Sequence, residues 1–179
     1  RLVEALAVNP GDSVLVVGAG VGYTVALLAE IAGAKHVQAL DISRDLVLDA
    51  RRNLRQTGFE AVLVDCRDGA DGLPEYAPFD RILLEAAVSK VPTALEQQLA
   101  EGGRLVAPQG QASQRLVARE DASEVADFGP VGFRPLLIDG EQPGAVTRNR
   151  TAREDQEHAA RTAERRRGWE QDWIEWDRI

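Results

Sequence analysis

Val14-Leu15-Val16-Val17-Gly18-Ala19-Gly20-Val21-Gly22-Tyr23 is an apolar run that breaks into a glycine-rich turn, and Thr24 to Ala32 follow at helical spacing. The pattern reads as strand, tight loop and helix. Glycine lets a backbone approach a ligand closely, and the start of a helix carries N–H groups without helical partners. Loops of this kind cradle the polar part of nucleotide-like cofactors.

The spacing narrows the choice. A dinucleotide fingerprint requires G-x-G-x-x-G, whereas Gly18, Gly20 and Gly22 give G-x-G-x-G with Tyr23 at the next position. No Gly-Lys-Ser/Thr follows, which excludes a P-loop. S-adenosylmethionine, which carries adenosine but no pyrophosphate, is the remaining common user. A second apolar run, His36-Val37-Gln38-Ala39-Leu40-Asp41, ends in a carboxylate 23 residues beyond Gly18. That is close to the offset at which an acid meets ribose hydroxyls in doubly wound folds. One carboxylate accepts from both hydroxyls. Asp41 also reads as a helix N-terminal acid or a solvated strand end, and the glycine loop favours the cofactor reading.

Onward, strands and helices alternate. Arg1 to Val8 reads as the end of a helix and Asn9-Pro10-Gly11-Asp12 as a turn. Strands are expected at 13–17, 36–41, 61–64, 81–84 and 103–107. Helices are expected up to Ala32, from a Ser43 cap to Gly58, and from Pro92 to Leu99. Alternation of this kind predicts an α/β fold with a mostly parallel sheet covered on both faces. Gln114–Arg119 and Gly132–Ile138 are expected to close it as a terminal antiparallel pair.

The chain has 179 residues, enough for one domain with a sizeable core. A net charge of −8 argues against a general nucleic-acid binder, which needs a basic face. Lys35 and Lys90 are the only lysines among 21 basic residues. Acid excess with so little lysine fits a protein of a salt-accumulating halophile, or a GC-rich genome. High salt would screen the self-repulsion. Cys66 is the single cysteine, which excludes an intrachain disulfide and a cysteine-based zinc site and fits a reducing cytoplasm. Its expected role is an inert core thiol. No apolar run of membrane-spanning length appears in the sequence given, and no stretch of it reads as a signal peptide. The chain starts at Arg1 and contains no Met, so it is expected to be a fragment lacking its natural start.

The loop Val17-Gly18-Ala19-Gly20-Val21-Gly22-Tyr23 resembles motif I of protein-L-isoaspartate O-methyltransferases. Asp68-Gly69-Ala70-Asp71-Gly72-Leu73-Pro74-Glu75-Tyr76-Ala77-Pro78-Phe79-Asp80 resembles that family's Asp-Gly, Gly and Ala-Pro-aromatic-Asp segment. Ala86-Ala87, Val91-Pro92, Gly102-Gly103-Arg104-Leu105-Val106 and Pro108-Gln109-Gly110 continue the pattern. Phe133-Arg134-Pro135-Leu136 stands where the family has Phe-Val-Pro-Leu. The similarity covers roughly Leu2 to Ile138.

The resemblance implies a Rossmann-like class I S-adenosylmethionine-dependent methyltransferase fold with a seven-stranded sheet. It implies methyl transfer from S-adenosyl-L-methionine to the free carboxyl of L-isoaspartyl residues in damaged proteins or peptides. By the same resemblance, Gly18, Ala19, Gly20, Gly22 and Tyr23 would lie against the methionine portion of the donor. Asp41, followed by Ile42, would hold the ribose, where the family more often has Glu. Asp68 would accept from the adenine amino group, with Gly69 allowing close approach; an Asp-Gly turn is the plainer reading of that pair. Glu85 would face the donor and Ala86 and Ala87 the substrate. The family usually has Thr at the position of Glu85, and an acid there would repel a carboxylate unless paired or protonated. By the same resemblance, the family's Ser/Thr segment that helps bind the isoaspartyl carboxylate is expected before Arg1. No catalytic side chain is therefore assigned, and no metal ligand is expected.

The composition shifts after Ile138. Asp139-Gly140-Glu141-Gln142-Pro143-Gly144 is linker-like, and Thr151-Ala152-Arg153-Glu154 has capping-box form. Trp169, Trp173 and Trp176 fall on one stripe if the segment is helical. Residues 1–138 thus read as the core and 139–179 as a linker with a charged extension. That stripe is expected to pack on the parent domain, with a dimer contact or a lid as the alternative readings.

Three functions fit these readings. The first is isoaspartyl carboxyl methylation. The second is methylation of RNA or a small molecule, since the core hosts many acceptors. The third is a non-catalytic adaptor that binds the donor and recognises damaged proteins.

Overall fold

The computed structural model describes residues 1–137. The linker-like stretch, the capping box and the tryptophan stripe lie outside the described residues. The elements run α1 (Leu2–Leu6), β1 (Val14–Val17), α2 (Tyr23–Ala32), β2 (Val37–Asp41), α3 (Arg44–Gln56) and β3 (Leu63–Cys66). They continue as β4 (Phe79–Leu84), α4 (Thr93–Gln97), β5 (Leu99–Gln109), β6 (Gln114–Glu120) and β7 (Ser123–Val131). They build one seven-stranded sheet in the order β3-β2-β1-β4-β5-β6-β7. The first five spatial positions are parallel, and β6 and β7 are antiparallel additions. This is the expected Rossmann-like α/β fold.

The alternation of each strand divides the core in two. Val14 and Val16 point to the face covered by α1, α2 and α3, where they meet Leu6, Val25, Leu28, Val47 and Leu54. Leu15 and Val17 point to the other face, against Leu73, Leu95, Ile82 and Leu84. All four β1 residues are buried, as expected for a central parallel strand. Complete burial of each such side chain stabilises the fold by roughly 1.5–3 kcal/mol. In α3 the Ser43 hydroxyl accepts the Leu46 N–H at 3.5 Å, and Val47, Ala50 and Leu54 form the buried stripe. The Ser43 cap is the one read from sequence.

Several elements differ from the expected bounds, with β4 opening at Phe79 and β5 spanning Leu99–Gln109. The last strand is Ser123–Val131 rather than 132–138. Asp121 and Ala122 take φ of 48° and 60°, so a two-residue primed turn folds β7 directly back on β6, pairing Glu120 with Ser123. Asp-Ala carries no glycine to announce that turn, and β7 is too exposed to show an apolar alternation. Strand β3 sits two residues later than expected, because Val62 is tied back to the Phe59 carbonyl in a turn at 3.0 Å. The helix expected over 92–99 spans only Thr93–Gln97, and Leu99 already opens β5.

The crevice forms where the strand order reverses. From β1 the chain moves outward to β2 and β3, then returns to place β4 on the other side of β1. The carboxyl ends of β1, β2 and β4 therefore open onto a shared gap, the usual ligand position in open α/β sheets.

Candidate active site

At that gap lies an open crevice of about 290 Å³. Val17 and Gly18 line it from the end of β1, and Leu40, Asp41 and Ile42 from the end of β2. Glu85 and Ala86 line it from the end of β4, with Gly69, Leu46 and the segment 134–137 completing the wall. Seven residues singled out from sequence are brought together here: Gly18, Gly20, Asp41, Ile42, Gly69, Glu85 and Ala86.

Five others stand outside the lining. Ala19 is buried in the core of the α2–α3 face. Gly22 faces α3, where an added Cβ would meet Ala50 at 3.3 Å, so its lack of a side chain serves helix packing. Tyr23 opens α2 and is 73% exposed. Asp68 accepts the Ala70 N–H at 2.8 Å, the turn geometry of its plainer reading. Ala87 is buried and bridges to Pro135.

The glycine loop is held by its own hydrogen bonds. Gly18 and Ala19 donate to the Leu40 carbonyl at 2.8 and 2.9 Å, and Gly22 donates to the Ala19 carbonyl at 2.9 Å. Gly20 donates to Asp41 Oδ2 at 3.0 Å. These four N–H groups are therefore engaged inside the protein. What the loop offers is close approach: nothing lies within 4 Å of a Cβ built on Gly20. A surface of that kind suits a ligand without a pyrophosphate.

Asp41 is 8% exposed, yet it borders the crevice. Its Oδ1 accepts the Ser43 N–H at 2.9 Å. A carboxylate has about four lone-pair sites, so capacity for a ligand hydroxyl remains. Burial pushes its pKa up, and the backbone donors Ser43, Gly20 and Ile42 pull against that. Glu85 is half-buried beside the loop, its Cβ 3.6 Å from where a Gly18 Cβ would stand. Burial raises its pKa as well, and a hydrogen bond with the Thr24 side chain opposes the rise.

Sequence reasoning did not find Val17, Leu40, Leu46 or residues 134–137 as crevice walls. The first three carry no signal apart from apolarity. The last segment is tied to the site by bonds no local pattern encodes: Ala87 N–H to the Arg134 carbonyl at 2.7 Å and Leu136 N–H to the Ala87 carbonyl at 2.8 Å. Cys66, expected in the core, is exposed at the end of β3, because that strand lies at the sheet edge and is displaced toward its carboxyl end. Among the described residues no helix is long and apolar enough to cross a membrane.

Residues 1–137 match the family described as Protein-L-isoaspartate(D-aspartate) O-methyltransferase. The chain belongs to this family. A protein-L-isoaspartate O-methyltransferase of Methylorubrum populi is 49% identical over 141 residues, covering 76% of this chain and 65% of that protein. The one from Methanocella arvoryzae is 41% identical over 138 residues, covering 75% of this chain and 73% of that protein. The chain spans 60–65% of the length of the first such relatives it matches. Among solved structures, a protein-L-isoaspartate O-methyltransferase aligns with a TM-score of 0.67 at 30% identity, covering 75% of this chain and 44% of that one. A Plasmodium falciparum structure described as a protein of the same kind, in complex with S-adenosyl-L-homocysteine, gives a TM-score of 0.67 at 24% identity. It covers 78% of this chain and 71% of that one, and it bears on the fold alone.

Proposed function

We propose that this protein binds S-adenosyl-L-methionine in the crevice and transfers its methyl group to the free carboxyl of L-isoaspartyl residues in damaged proteins and peptides. The observation that carries the reading is family membership over 1–137 together with a crevice walled by the family's own motif positions. Gly18, Gly20, Asp41, Ile42, Gly69 and Glu85 border the donor in this reading, and Ala86 borders the acceptor.

The residues fit such a donor. Asp41 retains acceptor capacity toward ribose hydroxyls, and the open space over Gly20 admits a ligand against the backbone. The donor, when bound, supplies a methyl group already activated on a sulfonium. The acceptor carboxyl, with a pKa near about 4, is ionised at neutral pH and needs no general base. That agrees with a crevice lined, among the described residues, by no histidine: His36 sits just before the amino end of β2, away from the gap. The protein's work is therefore alignment and exclusion of water. The backbone amide nitrogen that follows the ester then attacks its carbonyl carbon and expels methanol, closing a succinimide; water opens the ring and returns some normal aspartate.

Residues 1–138 form the methyltransferase core in this account, followed by a linker and charged extension over 139–179. The acid excess supports a cytoplasmic setting in a salt-accumulating cell. The test is transfer of labelled methyl to an isoaspartyl peptide and to its normal aspartyl twin, in high salt. Selective labelling of the first supports repair. Labelling of neither, by folded protein that binds the donor, moves the assignment to another acceptor or to an adaptor.

A further inference from the structure

Glu85 borders the crevice because β4 ends there. Its backbone N–H donates to the Val17 carbonyl at 2.8 Å, which extends the parallel pairing of β1 with β4 by one residue. Its Cβ consequently lies 3.6 Å from where a Gly18 Cβ would stand. Farther out, the carboxylate shares a hydrogen bond with the side chain of Thr24, in the first turn of α2. Backbone and side chain together hold this charge against the glycine loop.

The charge is poorly offset. Burial raises the pKa of Glu85, and the neutral Thr24 side chain is what opposes the rise. Among the described residues no Arg, Lys or His forms an ion pair with it. Asp41, the other acid of the lining, is differently placed, since backbone donors from Gly20 and Ser43 already engage both of its oxygens. One hydroxyl leaves most of a carboxylate's lone-pair sites open. A half-buried carboxylate without a cationic partner, bordering an open crevice, favours a ligand that brings positive charge.

The methyl donor and its spent form differ at one centre. An acceptor carboxylate oxygen bonds to the methyl carbon, the carbon–sulfur bond breaks, and its electron pair stays on sulfur. The sulfonium becomes a neutral thioether and the carboxylate a neutral ester. Amino group, carboxylate and nucleoside are common to both forms. In the sheet β1 stands between β2 and β4, and neighbouring strands are about 4.8 Å apart, so the ends of β2 and β4 are separated by about 10 Å. A ligand whose ribose meets Asp41 therefore passes the end of β1 before it reaches Glu85. The groups beyond its ribose are the ones that meet the second charge.

We infer that Glu85 is the residue by which this site distinguishes charged donor from spent donor. Its carboxylate attracts the sulfonium and loses that partner once the methyl group has left, which favours release of S-adenosylhomocysteine. This deepens the donor-site reading above and rests on it.

The experiment titrates the full chain calorimetrically with S-adenosylmethionine and, separately, with S-adenosylhomocysteine at neutral pH. Wild type, Glu85→Gln and Glu85→Asp are compared, with melting temperatures as a check on the fold. An opposite charge nearby moves a carboxyl pKa by about 1–3, which by linkage is about tenfold or more in affinity. The expected result in Glu85→Gln is an about tenfold loss of affinity for S-adenosylmethionine, with S-adenosylhomocysteine unchanged. Glu85→Asp, which keeps the charge on a shorter arm, is expected to retain part of the selectivity. Glu85→Thr repeats the test with a smaller neutral side chain should Glu85→Gln fail to fold. An unchanged ratio of the two affinities overturns the proposal. So does an equal loss for both ligands, which would set Glu85 against a group that they share. Folded wild-type protein that binds neither nucleoside defeats the donor-site reading and this inference with it. Binding of both, with a ratio untouched by Glu85→Gln, defeats this inference alone.

Discussion

Gly20 donates its backbone N–H to the carboxylate of Asp41 at 3.0 Å, across 21 positions of sequence. The same carboxylate takes the Ser43 N–H at 2.9 Å, so one side chain joins the loop after β1 to the turn that caps α3. The acid that reads as a ligand anchor is also the bracket that shapes the loop.

Asp41→Ala therefore affects stability as well as binding. The Gly20 and Ser43 N–H groups among its backbone donors lose their acceptor, and each unsatisfied group costs about 1–3 kcal/mol when water cannot replace it. Because the crevice admits water, a total loss of about 1–3 kcal/mol is expected. Urea unfolding of the ligand-free variant checks it; unchanged stability would mean that the loop holds itself without the bracket.

Glu85→Gln is expected to stabilise the ligand-free protein at neutral pH. Burial raises the folded-state pKa of Glu85, so its favourable contribution is complete below the unfolded value of about 4.3 and is lost as pH rises through the raised folded value. The advantage of the Gln variant should shrink as pH falls through that window. Melting temperatures of both proteins across the range decide it, and a pH-independent difference would contradict the account.

The central part of this architecture was legible because its signals are local. The run Val14–Val17 with three glycines announces strand, loop and helix, and Ser43 announces its cap. The acid at 41 marks the end of β2 by spacing alone. The far wall was not legible. Residues 134–137 reach the crevice through bonds to Ala87, 47 positions from Arg134, and the Asp121-Ala122 turn that sends them there lacks glycine. Gly22 and Gly69 show a further limit: sequence marks a glycine as special without saying whether a ligand or a neighbouring side chain requires it.

For Gly69 the neighbours are visible. An added Cβ would stand 2.6 Å from Val17 Cγ1 and 3.1 Å from Leu136 Cδ1, both on crevice-lining residues. Gly69→Ala is expected to cost about 1–3 kcal/mol by overpacking, with weaker donor binding as the crevice floor shifts. Chemical denaturation and calorimetry measure the two effects, and a variant as stable as wild type would show that the floor yields freely.

Cys66 offers a test of strand placement. The thiol is exposed, but burial of part of the group and the nearby Asp41 and Asp65 carboxylates push its pKa up. Native protein should react fully with a disulfide reagent at mildly alkaline pH, more slowly than a free cysteine peptide. A thiol that reacts only after unfolding would contradict the edge position of β3.

The central claim is that the crevice between β1, β2 and β4 is a donor site framed by Asp41. Its most direct test is calorimetric titration of the 179-residue chain with S-adenosylmethionine, beside Asp41→Ala and beside a dinucleotide as competitor. The account predicts saturable one-to-one binding by the wild type, severe loss in the variant and no competition from the dinucleotide. Absence of S-adenosylmethionine binding by folded wild-type protein, or binding untouched by Asp41→Ala, would contradict it.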